Sequence, residues 1–489
     1  MVEVLFSLKN VLVVSLAMNM CLLWQISYFY YYYYDDVDAL RITSSSSFWN
    51  TSSWRARLHS PPPSSSSATH QNNNNNNNIC LNNNNHDDGC HNNNNNKLRK
   101  TDENSELPPT ATTSFSSTPA PTPDGGESRV INLDHGDPTM YENFWKHKEE
   151  TTVVTSSWQH ISYFSDVTNV CWFLEPQLVS AITRLHNVVG NAVTEGHHIV
   201  VGTGSSQLYQ AAIYALSSPY VSGPTNVVSA APFYSSYPLM TDYLKSGLHK
   251  WAGDANVFNK EEPYIELVTS PNNPDGFTRQ DVVKGDKGIL IHDLAYYWPQ
   301  YTPIVLAADY DIMLFTVSKS TGHAGSRIGW ALVKDREIAK KMTAFIEINT
   351  IGVSKDSQIR AAKILQTVAD TCDHAHQKQS ESFFDFSYKL MTERWNKIRE
   401  AVNKTELFSL PYFPVETCAF SGRTFGQLPA FAWLKCEKVG DCESFLRKHK
   451  IHTRGGKHFG ASTEYVRISM LSRDSEFELL TQRLPAIIS

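Results

Sequence analysis

The amino-acid sequence predicts an α/β fold with a mostly parallel sheet from Val130 to the end of the chain. Short apolar runs such as Ile199–Val201 alternate with stretches of helical periodicity, which is typical of strands joined by helical crossovers. Several runs also end in glycine, serine, asparagine, aspartate or lysine, and open α/β sheets bind ligands beside the carboxyl ends of their strands. We therefore expect a ligand site at that edge of the sheet.

The elements follow one another in the order that such a sheet requires. A helix comes first, because apolar residues recur at helical spacing on one face, namely Leu178, Ile182, Leu185, Val189 and Ala192. Strands are then predicted at the apolar runs Ile199–Val201, Asn226–Val228, Ile265–Val268, Gly288–Ile291 and Ile312–Phe315. A second helical stretch begins at Gln207, directly after the first of these runs.

Composition allows a large folded core and argues against several kinds of site. The chain has 489 residues, of which 41% are hydrophobic and 11% aromatic. A net charge of −6, without a basic stripe, gives no reason to expect a nucleic-acid partner. The eight cysteines form no CxxC pair and no Cys/His ligand spacing, so we expect neither a metal site nor a dense disulfide framework. Cys436 and Cys442 could bridge in an oxidising compartment, although two unpaired thiols are the favoured interpretation.

Residues 1–34 are predicted to anchor the chain in a membrane. No charged residue occurs between Lys9 and Asp35, and this span is long enough to cross a bilayer. Its tyrosine-rich end suits the membrane interface, and no convincing signal-peptide cleavage site is present. We therefore expect a single-pass membrane protein, with the endoplasmic reticulum as the favoured location and the side of the membrane left open.

Residues 35–129 are predicted to form a disordered linker. They contain runs of serine, proline and asparagine, such as Pro61–Ser67 and Asn72–Asn78. Such segments bury too little apolar surface to offset the entropy of the chain. The asparagine runs could instead form an interaction element. The folded part of the chain is then 130–489.

Two motifs that follow strands suit a phosphate and an aromatic ring. After Ile199–Val201 comes Gly202–Gln207, where backbone N–H groups and the hydroxyls of Ser205 and Ser206 could hold a phosphate. A plain strand-to-helix turn with an N-cap explains the same residues. After the next strand, Tyr234 is the aromatic residue that we expect to stack on a flat pyridine ring, and core packing explains it equally well.

Amide, carboxylate and phenol groups follow the next two strands. Asn273 lies in Ser270–Gly276, a segment that a plain turn would also explain. Its amide could donate to a phenolic oxygen on the same pyridine ring. Asp293 stands at a strand end and could keep a pyridine nitrogen protonated, which makes the ring an electron sink. Tyr296 could share the phenolic oxygen with Asn273. A Mg²⁺ ligand is the alternative role of Asp293, but no second carboxylate stands nearby.

The strongest signal is the segment Thr316–Trp330. A lysine at the end of a buried strand is costly unless it reacts or pairs. Lys319 stands among hydroxyl groups, including those of Thr316 and Ser318, and Arg327 follows eight residues later. This order predicts a lysine that binds pyridoxal 5′-phosphate (PLP) covalently, with the hydroxyls and Arg327 on the phosphate. A structural lysine would explain Lys319 alone but not the whole segment.

Arg467 is the candidate for binding a substrate carboxylate. It lies within the alternating pattern Tyr465–Met470, which predicts a strand. A guanidinium can clamp an α-carboxylate with two hydrogen bonds. The alternative, an edge-strand arginine that faces water, is disfavoured because the other motifs are present.

The ordered set of motifs resembles the class I/II aminotransferases, which are fold-type-I PLP-dependent enzymes. Four stretches narrow the resemblance to the plant alliinase-like group, and within it to the tryptophan aminotransferase-related branch. These stretches are Tyr163–Asp166, Cys171–Pro176, His292–Pro299 and Ser318–Trp330. The resemblance covers about Val130 to the end of the chain.

The resemblance implies a reaction, a cofactor and a domain arrangement. The reaction is transamination of L-tryptophan with pyruvate, which gives indole-3-pyruvate, a precursor of the plant hormone auxin (indole-3-acetic acid), and alanine. Lys319 would carry the proton of the substrate Cα. The resemblance also implies a homodimer in which Tyr163 reaches the phosphate of the neighbouring subunit, and it places Gly136 over the substrate. A large PLP domain is expected at about 175–345, and a smaller α/β domain is expected from 130–174 plus 346–489.

The sequence leaves two other functions open. The sister activity is alliinase-type C–S lysis of S-alkyl-cysteine sulfoxides. Alliinases carry a cysteine-rich module before the catalytic domain, whereas 35–129 holds only Cys80 and Cys90, which favours the aminotransferase. The third possibility is a catalytically silent scaffold tethered to a membrane. It is disfavoured because every position expected to contact PLP carries a competent residue.

Overall fold

A computed structural model describes residues 129–217, 223–258, 261–376 and 381–487, which all lie in one compact unit of the chain. The anchor predicted at 1–34 lies outside these residues, as does the linker predicted at 35–129 except for its last residue. Within the described ranges no helix is both long enough and apolar enough to span a membrane. This finding corrects the localisation predicted from sequence, a single-pass protein of the endoplasmic reticulum membrane.

The described strands form one large sheet, one smaller sheet and two strand pairs. In chain order they are β1 (Ile131–Asn132), β2 (His198–Thr203), β3 (Thr225–Ser229), β4 (His249–Asp254), β5 (Tyr264–Thr269), β6 (Gly288–Asp293), β7 (Ile312–Thr316), β8 (Ile328–Val333), β9 (Phe408–Ser409), β10 (Val415–Thr417), β11 (Thr424–Gly426), β12 (Phe431–Cys436), β13 (Ile451–His452), β14 (Arg454–Gly455) and β15 (Tyr465–Ser469).

The described α-helices alternate with the strands of the large sheet and then flank the smaller one. In chain order they are α1 (Glu142–Lys146), α2 (Pro176–Val189), α3 (Gly204–Leu216), α4 (Tyr237–Asp242), α5 (Val317–Ser320), α6 (Arg336–Thr350), α7 (Lys355–His376), α8 (Phe383–Asn403), α9 (Cys442–Lys448) and α10 (Asp474–Arg483).

The large sheet has seven strands in the order β2-β8-β7-β6-β5-β3-β4. The neighbours from β7 to β4 are parallel, and β8 runs antiparallel to both β2 and β7. The five apolar runs chosen from the sequence are β2, β3, β5, β6 and β7, so the predicted mostly parallel sheet is confirmed. Since β5, β6 and β7 are parallel and adjacent, their carboxyl ends meet at one edge.

The first predicted helix differs from the observed one at its end. α2 starts with a proline and buries Leu178, Ile182 and Leu185, as the apolar spacing predicted. It ends at Val189 because Gly190 follows with a left-handed backbone, φ 69°, which closes the helix. The second predicted helix, α3, starts at Gly204, three residues before the predicted Gln207.

The smaller sheet has four antiparallel strands in the order β14-β15-β12-β9, which places Arg467 on an inner strand. Arg467 lies between Trp433 of β12 and Arg454 of β14 in the strand register, and its side chain is 3% exposed. The alternative of an edge-strand arginine in water is therefore wrong. Cys436 and Cys442 form a disulfide between β12 and α9, which corrects the interpretation of two unpaired thiols.

Candidate active site

A cavity of about 180 Å³ lies where the carboxyl ends of β5, β6 and β7 meet the start of α3. The parallel register pairs Thr269 of β5 with Asp293 of β6, and Asp293 with Leu314 of β7, so side chains distant in sequence face one space. Its lining includes these residues predicted as site residues: Ser205, Ser206, Tyr234, Asn273, Asp293, Tyr296, Thr316, Ser318, Lys319 and Arg327. It also includes residues that sequence reasoning missed: Tyr209, Tyr237, Met240, Thr269, Ala295 and Ala324.

Lys319 follows β7 directly, in the short helix α5. The hydroxyl of Thr316 caps this helix by accepting from the backbone N–H of Ser318 at 3.2 Å. The Lys319 Nζ atom donates to the backbone oxygen of Gly136 at 2.5 Å. Burial, and then the positive charge of Arg467, lower the pKa of Lys319 to about 8. A larger share of its amine is therefore neutral, and nucleophilic, near neutral pH.

Three side chains hold α5 in place from outside. Tyr301 donates from its hydroxyl to the backbone oxygen of Lys319 at 3.2 Å, and Gln300 Nε2 donates to that of Ser320 at 3.0 Å. Trp145 Nε1 donates to the backbone oxygen of Thr321 at 2.9 Å. The last carbonyls of a short helix have no partner within it, so these donors, which bind the carbonyls of Lys319, Ser320 and Thr321, fix the position of Lys319.

The start of α3 suits an anion. Thr203 precedes α3 without capping it through its side chain, so its hydroxyl does not occupy the N–H groups of the first turn, which include those of Ser205 and Ser206. The Arg327 guanidinium lies against Gly204, where an added Cβ would be 2.4 Å from Nη2. Gly204 also has φ +75°, a conformation that side chains disfavour. The close approach of Arg327 therefore depends on glycine at this position.

Asn273 and Tyr296 meet as the sequence predicted, with 3.5 Å between Asn273 Nδ2 and the Tyr296 hydroxyl. Both side chains are buried. Burial raises the pKa of Tyr296 well above its usual range, so its hydroxyl keeps its proton. Tyr234 also lines the cavity, and its ring makes an edge contact with the ring of Tyr237 at 5.3 Å between centroids.

Asp293 is half-buried in the cavity and accepts hydrogen bonds on both carboxylate oxygens. Tyr237 donates from its hydroxyl to Oδ2 at 2.8 Å, and the Ala295 N–H donates to Oδ1 at 3.1 Å. Burial raises the pKa of the Asp293 carboxyl, and the two donors oppose that shift. Tyr237 lies three residues after Tyr234, at the start of α4. It reaches Asp293 because of the turn that leads into this helix.

Arg467 is held by two neutral acceptors. Its Nη1 donates to Asn273 Oδ1 at 3.0 Å and its Nη2 to the backbone oxygen of Asp134 at 2.6 Å, while Nε has no partner among the described residues. Its guanidinium lies 4.1 Å from the Phe431 ring centroid. Burial lowers the pKa of Arg467 to about 10. A buried cation held only by neutral acceptors is suited to an incoming carboxylate.

The segment around Gly136 completes this end of the site. A Cβ on Gly136 would lie 2.6 Å from Phe431 and 3.2 Å from Lys319 Nζ, so glycine permits the close approach. Asp134 forms an ion pair with Arg454, at 2.5 Å between Oδ1 and Nε, and Arg454 Nη1 also donates to Ser235 Oγ at 3.1 Å. Asp134 and Arg454 were not predicted. Neither residue belongs to a recognisable sequence motif. They meet only because the fold brings β14 beside the segment that follows β1.

Tyr163 is the predicted cofactor residue that does not line the cavity. Its side chain is 66% exposed. Its neighbours Trp158, Ile161 and Phe164 are also largely exposed. Its expected position, at the phosphate of a neighbouring subunit, stays a prediction.

A family model described as allinase matches residues 131–488. Tryptophan aminotransferase-related protein 2 of Arabidopsis thaliana is 60% identical over 361 residues, which cover 73% of this chain and 81% of that protein. Alliin lyase 1 of Allium sativum is 38% identical over 366 residues, which cover 72% of this chain and 74% of that protein. A Thermus thermophilus aspartate aminotransferase matches with a TM-score of 0.52 and 14% identity, over 74% of this chain and 92% of that one. This likeness confirms the predicted fold-type-I aminotransferase fold.

Proposed function

Because the chain belongs to the allinase family, whose enzymes depend on PLP, we propose that it is a PLP-dependent aminotransferase acting on L-tryptophan and pyruvate. Its products are indole-3-pyruvate and alanine, and indole-3-pyruvate serves the synthesis of auxin. The observation that carries this proposal is the convergence of Lys319, Asp293 and the start of α3 on one cavity. The amine, the carboxylate and the anion-binding turn are the three chemically distinct groups that PLP requires.

The residues around the cavity fit PLP. Gly204 lets the Arg327 guanidinium lie against the start of α3, where a phosphate dianion would find N–H donors. Five side chains would then hold the ring: Asp293 at the pyridine nitrogen, Asn273 and Tyr296 at the phenolic oxygen, Tyr234 at the ring face and Lys319 at the aldehyde. When bound, PLP supplies an electron sink for the negative charge that develops at the substrate Cα.

The protein contributes binding and proton transfer. Arg467 would bind the substrate α-carboxylate, since its buried guanidinium has only neutral partners. The substrate Cα would then lie near the segment of Gly136, whose backbone oxygen accepts from Lys319 Nζ. With its pKa lowered to about 8, Lys319 is suited to act first as the base that accepts the Cα proton at Nζ and then as the acid that donates this proton onward, away from Cα.

Sequence likeness favours the aminotransferase over the lyase. The chain is 60% identical to a relative named for tryptophan aminotransferase and 38% identical to an alliin lyase. Alliinase-type C–S lysis remains the second candidate, because the same PLP site would serve both reactions. A catalytically silent scaffold is disfavoured, since the cavity retains a lysine, a carboxylate and an arginine in the required places.

We also propose the domain arrangement and dimer that the family resemblance implied. The seven-stranded sheet lies within 198–333, which supports a large domain at about 175–345. The four-stranded sheet lies within 408–469, which supports a smaller domain from 130–174 plus 346–489. The exposed apolar side chains around Tyr163 support a homodimer, in which Tyr163 would reach the phosphate of the other subunit.

The test uses the purified full-length chain loaded with PLP. One reaction contains L-tryptophan and pyruvate, and a parallel reaction contains an S-alkyl-cysteine sulfoxide. Formation of indole-3-pyruvate, abolished in Lys319→Ala, supports the proposal. Release of pyruvate from the sulfoxide without any keto acid from tryptophan would make the chain a lyase. No product in either reaction, despite bound PLP, would overturn both catalytic proposals.

A further inference from the structure

Tyr237 is fully enclosed beside the Asp293 carboxylate. Its side chain is 1% exposed, and its hydroxyl lies 2.8 Å from Asp293 Oδ2. We propose that Tyr237 is a positioning residue that orients the Asp293 carboxylate and keeps it ionised, so that Asp293 holds the PLP pyridine nitrogen protonated. This inference rests on the proposed use of PLP, but not on the identity of the amino-acid substrate.

The hydrogen bonds around Tyr237 have one consistent direction. The Tyr237 hydroxyl also lies 2.7 Å from the Thr269 Oγ1 atom. An ionised carboxylate can only accept, and a phenol has one proton to give. Tyr237 therefore donates to Asp293, and Thr269 donates to the phenol oxygen. The result is a directed chain from Thr269 through Tyr237 to Asp293, in which each bond strengthens the next.

These linked hydrogen bonds offset part of the free-energy cost of burying the charge on Asp293. Desolvation alone favours the protonated acid, and a protonated Asp293 could not stabilise a protonated pyridine nitrogen. Hydrogen bonds from Tyr237 and from the Ala295 N–H occupy one oxygen each and favour the ionised form. Burial, and then the charge of Asp293, raise the pKa of Tyr237 well above its usual range, so the phenol remains a donor.

The geometry also fixes where the carboxylate points. Tyr237 stands at the start of α4, and its ring stacks on Tyr209 with 5.3 Å between centroids. Tyr209 in turn shares a hydrogen bond with Thr241 of α4. The phenol is therefore held by the Tyr209 ring, which stacks on it, and by its position in α4. Because Ala295 N–H binds Oδ1, the two donors leave the remaining lone pairs of Asp293 for the cavity.

The test measures the protonation state of the PLP pyridine nitrogen directly. The unaltered chain is loaded with ¹⁵N-labelled PLP, and its nitrogen resonance is compared with those of Tyr237→Phe, Thr269→Val and Asp293→Asn. We expect Tyr237→Phe to move the signal from the protonated toward the unprotonated position and to weaken PLP binding about tenfold, as expected for a lost bond to a charged group. Thr269→Val should move it in the same direction by less, and Asp293→Asn furthest.

Tyr264→Phe is the matched control. It removes a buried tyrosine hydroxyl from β5, the strand that also carries Thr269, but this hydroxyl donates to the backbone oxygen of Val283 and lies outside the cavity lining, so the nitrogen signal should stay at the protonated position. If Tyr237→Phe does not fold, Thr269→Val tests the inference, because it breaks the chain of hydrogen bonds and keeps the Tyr237 phenol.

Several outcomes separate this inference from the proposed function. An unshifted signal in the folded Tyr237→Phe or Thr269→Val variant, with a shifted one in Asp293→Asn, would overturn the role of Tyr237. An equal shift in Tyr264→Phe would do the same, since it would trace the effect to the general loss of a buried hydroxyl. A chain that binds PLP with a protonated nitrogen but does not transaminate tryptophan would overturn only the proposed substrate. A chain that binds no PLP overturns both.

Discussion

Arg467 Nη1 donates to Asn273 Oδ1 at 3.0 Å, across 194 positions of sequence. The amide nitrogen of the same Asn273 lies 3.5 Å from the Tyr296 hydroxyl. One amide therefore connects the residue proposed to bind the substrate carboxylate with the residues proposed to bind the phenolic oxygen of PLP. Substrate binding and cofactor orientation should respond together to changes at this residue.

Asn273→Asp is expected to raise KM for both the amino acid and the keto acid about tenfold. The new carboxylate would pair with Arg467 and compete with the carboxylate of either substrate. Asn273→Ser, which adds no charge, should raise KM less. Steady-state kinetics with both substrates check this. An unchanged KM in Asn273→Asp would show that Arg467 does not bind the substrate carboxylate.

The capture of PLP by the cofactor-free chain should accelerate as pH rises through about 8. Burial, and then Arg467, lower the pKa of Lys319 to about 8, while Asp137 opposes the shift. Below that pH the amine is mostly protonated and unreactive, and above it the neutral nucleophile dominates. The rate of forming a borohydride-reducible adduct, measured from pH 6 to 10, gives the midpoint.

Arg467→Met provides the control for that profile. Removing a neighbouring positive charge raises the pKa of Lys319, so the midpoint should move to higher pH. A midpoint near the ordinary lysine value in the unaltered chain, or no movement in Arg467→Met, would contradict the electrostatic account.

Arg454→Gln should raise KM about fivefold with little change in kcat, which corresponds to a lost contribution of about 1 kcal/mol. Arg454 binds the carboxylate of Asp134, whose backbone oxygen accepts from Arg467. The variant therefore loosens the carboxylate-binding end without touching Lys319. Arg454→Lys, which keeps the charge but loses the two-pronged contact, should lie between. A fall in kcat at constant KM would place Arg454 elsewhere in the mechanism.

The ion pair between Arg454 and Asp134 should persist throughout the pH range in which activity is measured. Burial pushes the pKa of Asp134 upward, but the hydrogen bond and charge of Arg454 hold it below its ordinary value. A lowered carboxyl pKa means that the stabilisation is present above the ordinary value and is lost only as pH falls through the folded value. The effect of Arg454→Gln on KM should therefore be constant from about pH 6 to 9.

Gly204→Ala is expected to weaken PLP binding at least about tenfold, whereas Gly190→Ala should leave it unchanged. Both glycines have positive φ, at 75° and 69°, so each alanine costs about 1 kcal/mol of folding stability. Only at Gly204 would the new Cβ displace the Arg327 guanidinium, 2.4 Å away, since nothing lies within 4 Å at Gly190. Thermal unfolding and PLP titration separate the two effects, and equal PLP affinities would argue against a phosphate at α3.

Ile161→Glu should convert a dimer into monomers. Ile161 is 79% exposed in the apolar segment that carries Tyr163, and a charge buried in an interface is costly. Tyr412→Glu, at an equally exposed apolar position, is the control that should leave the dimer intact. Light scattering of the full-length chain gives the mass. A monomer in the unaltered protein would contradict the proposed role of Tyr163 in a neighbouring site.

Local patterns were enough to predict the residues that end each strand. Asn273, Asp293 and Lys319 each follow a run of apolar residues, and parallel strands bring such positions to one edge. Their convergence on one cavity therefore follows from strand direction alone. The order of the strands was not predictable in the same way, because nothing local in Ile328–Val333 shows that this strand inserts antiparallel between β2 and β7.

By itself the sequence determined the fold class, the family and the residues with distinctive chemistry, because these depend on periodicity and on motifs within a few residues of one another. The tertiary structure decided the partners of those residues. Tyr237 reaches Asp293 across 56 positions, and Arg454 reaches Asp134 across 320. The disulfide between Cys436 and Cys442 likewise depends on how α9 packs beside β12. Such contacts depend on strand order and helix packing, so they leave no local periodicity to detect.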